Sequence, residues 1–312
     1  MIVAITGGTG FIGRHLIARH CARGDQVRYL TRKQPSEVIA GATAIVGNLT
    51  SSVDSLRKFA GGADVLYHCA AELRDETKMQ STNVSGTENL IAATGGQVGR
   101  WVQLSSTGVY GRKMSGDIDE QTTSNPANPY ELSKEASDRI LHQQNLSHVV
   151  LRPSNVYGTD MPNQSLFHLI KMIDRGLFFF IGKPGAVANY VHVENVVDAL
   201  LLCATARLPA NGRTYIVSDH RPLEDFVRTI ADTLAKPLPR LRMPEPLMRA
   251  ASKTASGIPG FPLSLSRIEA LTGRAIYRAD RIRTELGYEN RISMEAGISE
   301  LASFWKNRRI DD

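Results

Sequence analysis

The chain has 312 residues, of which 42% are hydrophobic, and its 37 Lys and Arg against 31 Asp and Glu give a formal net charge of +6. This length and apolar content suit one large domain with a smaller satellite and exclude a disordered chain. The three cysteines, Cys21, Cys69 and Cys203, form no CxxC pair or Cys/His cluster, which argues against a disulfide framework or a metal site and favours a reducing, cytoplasmic location.

The first half of the chain alternates short β-branched runs with helical patterns. It begins at once with an apolar strand, so we expect no secretion signal. Strands are predicted at residues 2–6, 26–30, 43–46, 64–69, 101–105 and 148–152, and helices at 11–23, 53–60, 83–93 and 130–143. This rhythm predicts an α/β fold, the Rossmann doubly wound parallel sheet.

After Arg152 the alternation loosens, and Pro, Gly and Arg become frequent. We therefore predict two interleaved units: a Rossmann domain of residues 1–153 plus 189–222, and a smaller C-terminal substrate-binding lobe of residues 154–188 plus 223–312. The crevice between them is where such sheets bind ligands. No apolar stretch reaches the ~20 residues of a membrane span.

The basic tail does not indicate a nucleic-acid partner. Residues 236–312 hold 14 Lys and Arg against 9 Asp and Glu, but the arginines are scattered among acids and lack interleaved aromatics. A solvated surface is the favoured interpretation, and one or two of these arginines could hold an anionic small molecule.

A glycine-rich turn, TGGTGFIG from residue 6, follows the first strand and opens a helix. Gly7 suits the tight turn, Gly10 lets the backbone approach a pyrophosphate, and Gly13 lets helix and strand pack closely. The N–H groups of Phe11, Ile12 and Gly13 at the helix N-terminus would then face the phosphates. In this position the motif predicts a dinucleotide site.

The end of the second strand indicates which dinucleotide binds. An acid there would accept a hydrogen bond from the ribose 2′-OH of NAD, but the sequence continues as Thr31-Arg32-Lys33. Because Arg32 and Lys33 can pair with a 2′-phosphate, the sequence favours NADP, with NAD as the alternative.

Tyr130 and Lys134 lie one turn apart on a predicted helix that Asn128 can cap and Pro129 can start. A nearby ammonium and an oxidised nicotinamide would favour the phenolate, so we expect the pKa of Tyr130 to be lowered. Upstream, the hydroxyls of residues 105–107 follow a strand and could orient a substrate oxygen beside Tyr130.

These motifs, in this order, resemble the extended short-chain dehydrogenase/reductase family, also called the NAD-dependent epimerase/dehydratase family. The resemblance covers nearly the whole chain and is carried by TGGTGFIG (6–13), YHCAA (67–71), NVSGT (83–87), SSTGVYG (105–111), PYELSK (129–134), LRPSNVYG (151–158), YVHVENV (190–196) and ELGYE (285–289).

The resemblance implies roles for individual residues. Ser106 would be the catalytic hydroxyl, with Thr107 the second choice and a substrate contact; Tyr130 would be the acid/base, and Lys134 would bond the nicotinamide ribose and tune Tyr130. Further implied cofactor contacts are Asn48 and Leu49 at adenine, His68, Ala70 and Ala71 along the cofactor, and Pro153 by the carboxamide. Asn155 would reach the substrate, and Asn83 would be structural.

One departure from the family pattern concerns the substrate. Sugar-nucleotide epimerases often carry an arginine ahead of the YVHV tyrosine to grip a diphosphate, whereas Ala188 and Asn189 precede Tyr190 here. Arg267 or Arg274 would have to supply that contact.

Four functions follow as hypotheses. The first is an NADP(H)-dependent oxidoreductase acting on a keto or hydroxyl carbon, foremost the 4-keto group of a nucleotide-linked sugar, with the homodimer that the resemblance implies. The alternatives are a nucleotide-sugar epimerase with tightly held NAD, an NADPH ketoreductase of a hydrophobic steroid-like or flavonoid-like substrate, and a non-catalytic NADP-sensing protein. The apolar run at residues 177–181 and the missing arginine favour the hydrophobic substrate. Dehydration is disfavoured, because Thr107-Gly108 stand where dehydratases place Asp-Glu.

Overall fold

A computed structural model describes residues 1–35, 37–50, 53–111, 115–206, 211–254 and 264–311, with side chains up to residue 308. Its strands are β1 (Ile2–Thr6), β2 (Gln26–Thr31), β3 (Ala42–Val46), β4 (Val65–His68), β5 (Arg100–Leu104), β6 (Ser115–Ile118), β7 (His148–Pro153), β8 (Asn155–Tyr157), β9 (Phe180–Ile181), β10 (Val187–His192), β11 (Arg213–Val217), β12 (Asp219–Pro222), β13 (Arg242–Met243) and β14 (Arg274–Tyr277).

Its α-helices are α1 (Phe11–Ala22), α2 (Val53–Ala60), α3 (Glu76–Met79), α4 (Gly86–Thr94), α5 (Pro129–His142), α6 (Ser165–Asp174), α7 (Val193–Thr205), α8 (Leu223–Thr233), α9 (Glu245–Thr254), α10 (Leu265–Thr272), α11 (Asp280–Leu286) and α12 (Met294–Asp311). A π-helix, Gln80–Ser85, precedes α4, and a 3₁₀ turn, Thr107–Tyr110, follows β5. None of the helices in the described ranges combines the length and apolar character that a membrane span requires.

Seven strands form one sheet in the order β3-β2-β1-β4-β5-β7-β11, and every neighbouring pair is parallel. Alternate residues of β1 belong to different cores: Val3 and Ile5 pack in one apolar cluster, and Ala4 packs in another. Helices α1 and α7 supply Leu16 and Leu200 to the first cluster. The sheet is therefore covered on both faces, as in a doubly wound Rossmann fold, which confirms the predicted fold class.

A second group of elements surrounds a separate core. Strand β10 pairs with β12 antiparallel and with β8 parallel, and two further parallel pairs, β9 with β13 and β6 with β14, lie in this half of the molecule. Its apolar cluster includes Phe167 of α6, Phe226 of α8 and Leu301 of α12. The predicted domain boundaries stay a prediction, and β10 and β12, which they assign to the Rossmann domain, belong to this separate sheet.

The elements predicted in the first half are present, 2–6 and 53–60 with the predicted bounds and the others with ends shifted by one residue, except the helix predicted at residues 83–93. There the chain forms the π-helix and then α4. Apolar periodicity does not distinguish the wider turn of a π-helix from an α-helical turn, and such insertions are frequent at functional sites.

Candidate active site

A cleft of about 1110 Å³ lies at the carboxyl ends of the central strands and exceeds the roughly 300–1,000 Å³ of an ordinary small-molecule site. It begins at the glycine-rich turn. Gly7 has φ +69°, and a Cβ on it would lie 2.7 Å from the backbone nitrogen of Ala70. A Cβ on Gly13 would lie 2.1 Å from the carbonyl oxygen of Gly7, so a side chain at either position is excluded.

Helix α1 begins at this turn without a side-chain cap. Its N-cap is Gly10, and no side chain accepts from the first-turn N–H groups. Phe11, Ile12 and Gly13 line the cleft there. These free N–H groups suit the pyrophosphate of a dinucleotide.

The cleft extends from the glycine-rich turn to the ends of β2 and β3, where it is lined by Arg32, Lys33, Asn48 and Leu49. Arg32 and Lys33 are exposed, and within the described part of the chain neither makes an ion pair. Among the described lining residues Glu72 is the sole acid, and its Oε1 accepts hydrogen bonds from three backbone N–H groups of its own loop. Among the lining residues that the structure describes, none at the end of β2 is an acid that would repel a 2′-phosphate.

Ser106, Tyr130 and Lys134 meet at the reaction end of the cleft, as the sequence predicts. Ser106 Oγ accepts from Gly108 N–H at 3.0 Å and shares a hydrogen bond with the phenol of Tyr130. Asn128 caps α5 through Glu131 N–H, so Tyr130 stands in the first turn of that helix and Lys134 in the next. The Lys134 ammonium is buried and donates to the carbonyl of Leu104 at 2.7 Å.

The electrostatics correct one expectation. Burial, helped by the negative charge of Asp138, raises the pKa of Tyr130 to about 12 rather than lowering it. Burial also lowers the pKa of Lys134, against the opposing effect of Asp138. The spacing of Tyr130 and Lys134 gave no measure of their burial, and desolvation is the dominant effect here.

A buried ion pair underlies these groups. Asp138 Oδ2 accepts from Arg152 Nε at 3.1 Å and Nη2 at 3.0 Å, and from the hydroxyl of Ser105 at 2.7 Å. Arg152 Nη1 donates to the phenol oxygen of Tyr110, over whose ring the guanidinium lies. This network joins the ends of β5 and β7 to α5.

The structure separates the remaining predicted contacts into two groups. Ala70, Ala71, Pro153 and Asn155 line the cleft, and Asn155 also donates to the carbonyl of Asn189. His68 does not line it, since its ring is buried behind the wall.

Three predicted substrate residues also lie away from the cleft lining. The hydroxyl of Thr107 is buried and hydrogen-bonded with Tyr277. Arg274 donates to the carbonyls of Lys183 and Pro184, and Arg267 lies exposed on α10. Arg274 braces a loop because it lies on β14 beside that loop, a long-range placement that its sequence position did not reveal.

Several lining residues were not predicted. Thr82 lies in the π-helix, and the others lie in or just after strands or on the loop before α6: Thr6, Thr9, Glu72, Ser154, Val156, Pro162 and Asn163. Their place after β1, β4 and β8 was the available signal, because ligands of such sheets bind beyond the carboxyl ends of the strands.

Comparisons with known proteins identify the family of this chain. The family model described as the NAD dependent epimerase/dehydratase family matches residues 3–218. The chain is 29% identical to a 4-hydroxy-2-methyl-3-oxo-4-farnesyl-3,4-dihydroquinoline-1-oxide ketoreductase of Stigmatella aurantiaca, over 95% of this chain and 94% of the relative. It is 27% identical to a 3 beta-hydroxysteroid dehydrogenase/Delta 5→4-isomerase of Mycobacterium tuberculosis, over 97% and 90%.

A solved structure shares the fold. The UDP-glucuronic acid 4-epimerase from Bacillus cereus, crystallised with NAD, superposes with a TM-score of 0.77 at 18% identity, covering 99% of both chains.

Proposed function

The chain belongs to the NAD-dependent epimerase/dehydratase family, and from that premise we propose that it is an NADP(H)-dependent oxidoreductase that interconverts a ketone and a secondary alcohol on an uncharged, largely apolar substrate. The observation that carries the substrate class is the charge of the cleft lining. Its cationic side chains, among the described residues, are Arg32, Lys33 and Lys134.

All three cations are assigned to the cofactor or to the reaction centre, so none of them remains to bind the diphosphate of a substrate. Arg32 and Lys33 lie at the end of β2, where the 2′-phosphate of NADP would be held, and Lys134 is buried at the reaction centre. A nucleoside diphosphate substrate would bring two further negative charges, which a site ordinarily meets with Arg or Lys. Ala188, at the position of the missing arginine, is buried, and Arg274 is engaged with backbone carbonyls.

The reaction centre supports proton transfer by Tyr130. When bound, the reduced cofactor supplies a hydride to the carbonyl carbon. Ser106 would hold the substrate oxygen against the phenol, and Tyr130 would donate its proton as negative charge develops on that oxygen. A pKa of about 12 keeps Tyr130 protonated at neutral pH, as a proton donor in ketone reduction requires.

The apolar run at residues 177–181, which favoured a hydrophobic substrate, does not line the cleft. Phe178 and Phe180 are buried in the second core, and Ile181 is buried in a smaller apolar cluster with Met248 and Ile268. What supports an uncharged substrate is therefore that the described lining residues include no cation beyond Arg32, Lys33 and Lys134. The ketoreductase and hydroxysteroid dehydrogenase relatives agree with it.

The second candidate is a nucleotide-linked sugar, as 4-keto reductase or as epimerase. The Bacillus cereus UDP-glucuronic acid 4-epimerase is named for such a substrate, but at 18% identity the likeness shows the fold alone. A non-catalytic NADP sensor is the least favoured, since Ser106, Tyr130 and Lys134 are brought together. We also propose that the protein is a cytoplasmic homodimer, as the sequence predicts. Analytical ultracentrifugation would measure the mass of the assembly.

The test is NADPH oxidation with two matched panels, steroid-like or prenylated aromatic ketones and nucleotide-linked 4-keto sugars. We expect stoichiometric NADPH loss with the apolar ketones alone, and none with Tyr130→Phe. Arg274→Ala should leave KM unchanged. Turnover restricted to the nucleotide sugars, or a raised KM in Arg274→Ala, would reject the proposed substrate class.

A further inference from the structure

A chain of buried hydrogen bonds runs behind the cleft wall. Ala70 N–H donates to Thr6 Oγ at 3.1 Å, and Thr6 Oγ lies 2.7 Å from His68 Nδ1. On the other side of the ring, His68 Nε2 lies 3.1 Å from Thr87 Oγ, whose hydroxyl donates to the carbonyl of Asn83 at 2.6 Å. Thr6 and Ala70 line the cleft, so one end of the chain is part of the cofactor wall.

The direction of every bond in this chain is determined. Because Thr87 gives its proton to Asn83, it must accept from His68 Nε2–H, which leaves Nδ1 to accept from Thr6. This requires a neutral His68, and complete burial, with the nearby charge of Lys134, lowers its pKa to about 3. The imidazole is thus a fixed donor and acceptor at neutral pH.

The chain continues from Asn83 to the helix of the reaction centre. Asn83 Nδ2 donates to Ser133 Oγ at 2.9 Å, and Ser133 in turn donates to the carbonyl of Tyr130 at 2.8 Å. The hydroxyl of Ser137 lies 2.6 Å from the Asn83 carbonyl. Asn83 also pairs with both the N–H and the carbonyl of Glu72, on the loop that follows Ala70 and Ala71.

The π-helix makes these bonds possible. Asn83 lies within it, and its carbonyl accepts from both Thr87 and Ser137. An unbroken α-helix would shift the residues that follow relative to Asn83. The irregular turn therefore lies where the two halves of the chain of bonds join.

We propose that His68 is a positioning residue that ties the cofactor wall at Thr6 and Ala70 to the helix that carries Tyr130 and Lys134. Its buried ring does not line the cleft, so it would act through Thr6 and Ala70 and not by direct contact with the cofactor. Loss of its ring bonds would leave Asn83, which bonds to Glu72 and Ser133, as the remaining link between the wall and the helix. The distance from the nicotinamide to the phenol would then be held less firmly. The inference rests on the cofactor of the proposed function and not on its substrate.

Two variants and a matched control isolate this role. His68→Phe keeps an aromatic ring but removes both bonds, and His68→Gln retains one acceptor and one donor. His20 is the control, because it is equally buried and also makes two side-chain contacts, with Asp25 at 2.7 Å and Tyr67 at 3.0 Å. His20 has no bond to α5, so His20→Phe should affect its own surroundings alone.

The experiment is hydrogen–deuterium exchange of the whole protein by mass spectrometry, with NADPH affinity measured by fluorescence titration. In His68→Phe we expect faster exchange both at residues 69–73 and at 130–137, and NADPH binding weakened about tenfold, the loss of one buried hydrogen bond. His68→Gln should restore most of both, and His20→Phe should show neither effect.

Faster exchange confined to the neighbourhood of residue 68, or the same double response in His20→Phe, would overturn the inference. If His68→Phe does not fold, Thr87→Val is the substitute, because it breaks the series of hydrogen bonds one bond further along. Exchange should then become faster at residues 130–137 and stay slow at 69–73. Release of neither segment by Thr87→Val would also overturn it. A wild type that reduces no ketone would refute the proposed function and leave this result standing.

Discussion

Removal of the buried carboxylate of Asp138 should destabilise the fold more than any surface charge change. Asp138 and Arg152 are 1% and 8% exposed, and Asp138 Oδ2 accepts three hydrogen bonds from Arg152 and Ser105. In Asp138→Asn the guanidinium loses its carboxylate and keeps only neutral acceptors, the new amide oxygen and the phenol of Tyr110. An uncompensated buried charge of this kind costs about 3–5 kcal/mol.

The magnitude is tested with a double-mutant cycle by urea denaturation. Arg152→Met should also cost about 3–5 kcal/mol, because it leaves the carboxylate buried with Ser105 alone. The double variant removes both charges and should cost less than the sum of the single variants, with a coupling energy of about 3 kcal/mol. Additive losses would refute this description of the pair.

The same variant has a functional consequence. The negative charge of Asp138 helps to raise the pKa of Tyr130. Asp138→Asn should therefore lower that pKa, and a pH profile of alcohol oxidation, which requires the phenolate, should move to lower pH. An unchanged profile in a folded variant would show that the carboxylate does not act on Tyr130.

Four further outcomes are expected. Tyr130→Phe should lower kcat at least about 10²-fold and leave NADPH affinity unchanged, as stopped-flow and binding measurements would show. Arg32→Ala should reduce the preference for NADP(H) over NAD(H) by about 1.5 kcal/mol, the low end for an exposed charged contact, and calorimetry that finds no preference in the wild type would reject the assignment. The pKa of His68 falls from 6.5 to about 3 on folding, so the stability that the neutral ring contributes is complete above pH 6.5. As the pH falls below 6.5, that stability is lost at up to about 1.4 kcal/mol per pH unit. His68→Gln should flatten this slope in acid denaturation, and an equal slope in the variant would contradict the linkage. Gly13→Ala places a Cβ 2.1 Å from the Gly7 carbonyl and should lower Tm and abolish dinucleotide binding, and normal binding would contradict the packing described.

The sequence predicted the parallel sheet because each strand is a short apolar run and each connection a helical period. It also predicted that Ser106, Tyr130 and Lys134 meet, since β5 and α5 both end or begin at one edge of the sheet. These are local patterns combined with one rule of topology.

The parts that failed depend on burial and on distant contacts. To predict the pKa of Tyr130, one would need to know how far its phenol is buried. To predict the position of Arg274, one would need the pairing of β14 with β6, in which Arg274 lies beside Ser115, 159 residues away in sequence. His68 lies next to the cofactor wall in sequence, but a strand alternates its side chains between faces, and its ring lies on the face that packs against Thr87.

The most direct measurement of the central claim is transfer of the label from 4-deuterated NADPH to an uncharged apolar ketone, followed by mass spectrometry of the alcohol. The proposed function predicts one deuterium on the carbinol carbon for each NADP formed, and none with Tyr130→Phe. Turnover of a nucleotide-linked sugar without net loss of NADPH, and no label in any apolar alcohol, would contradict it.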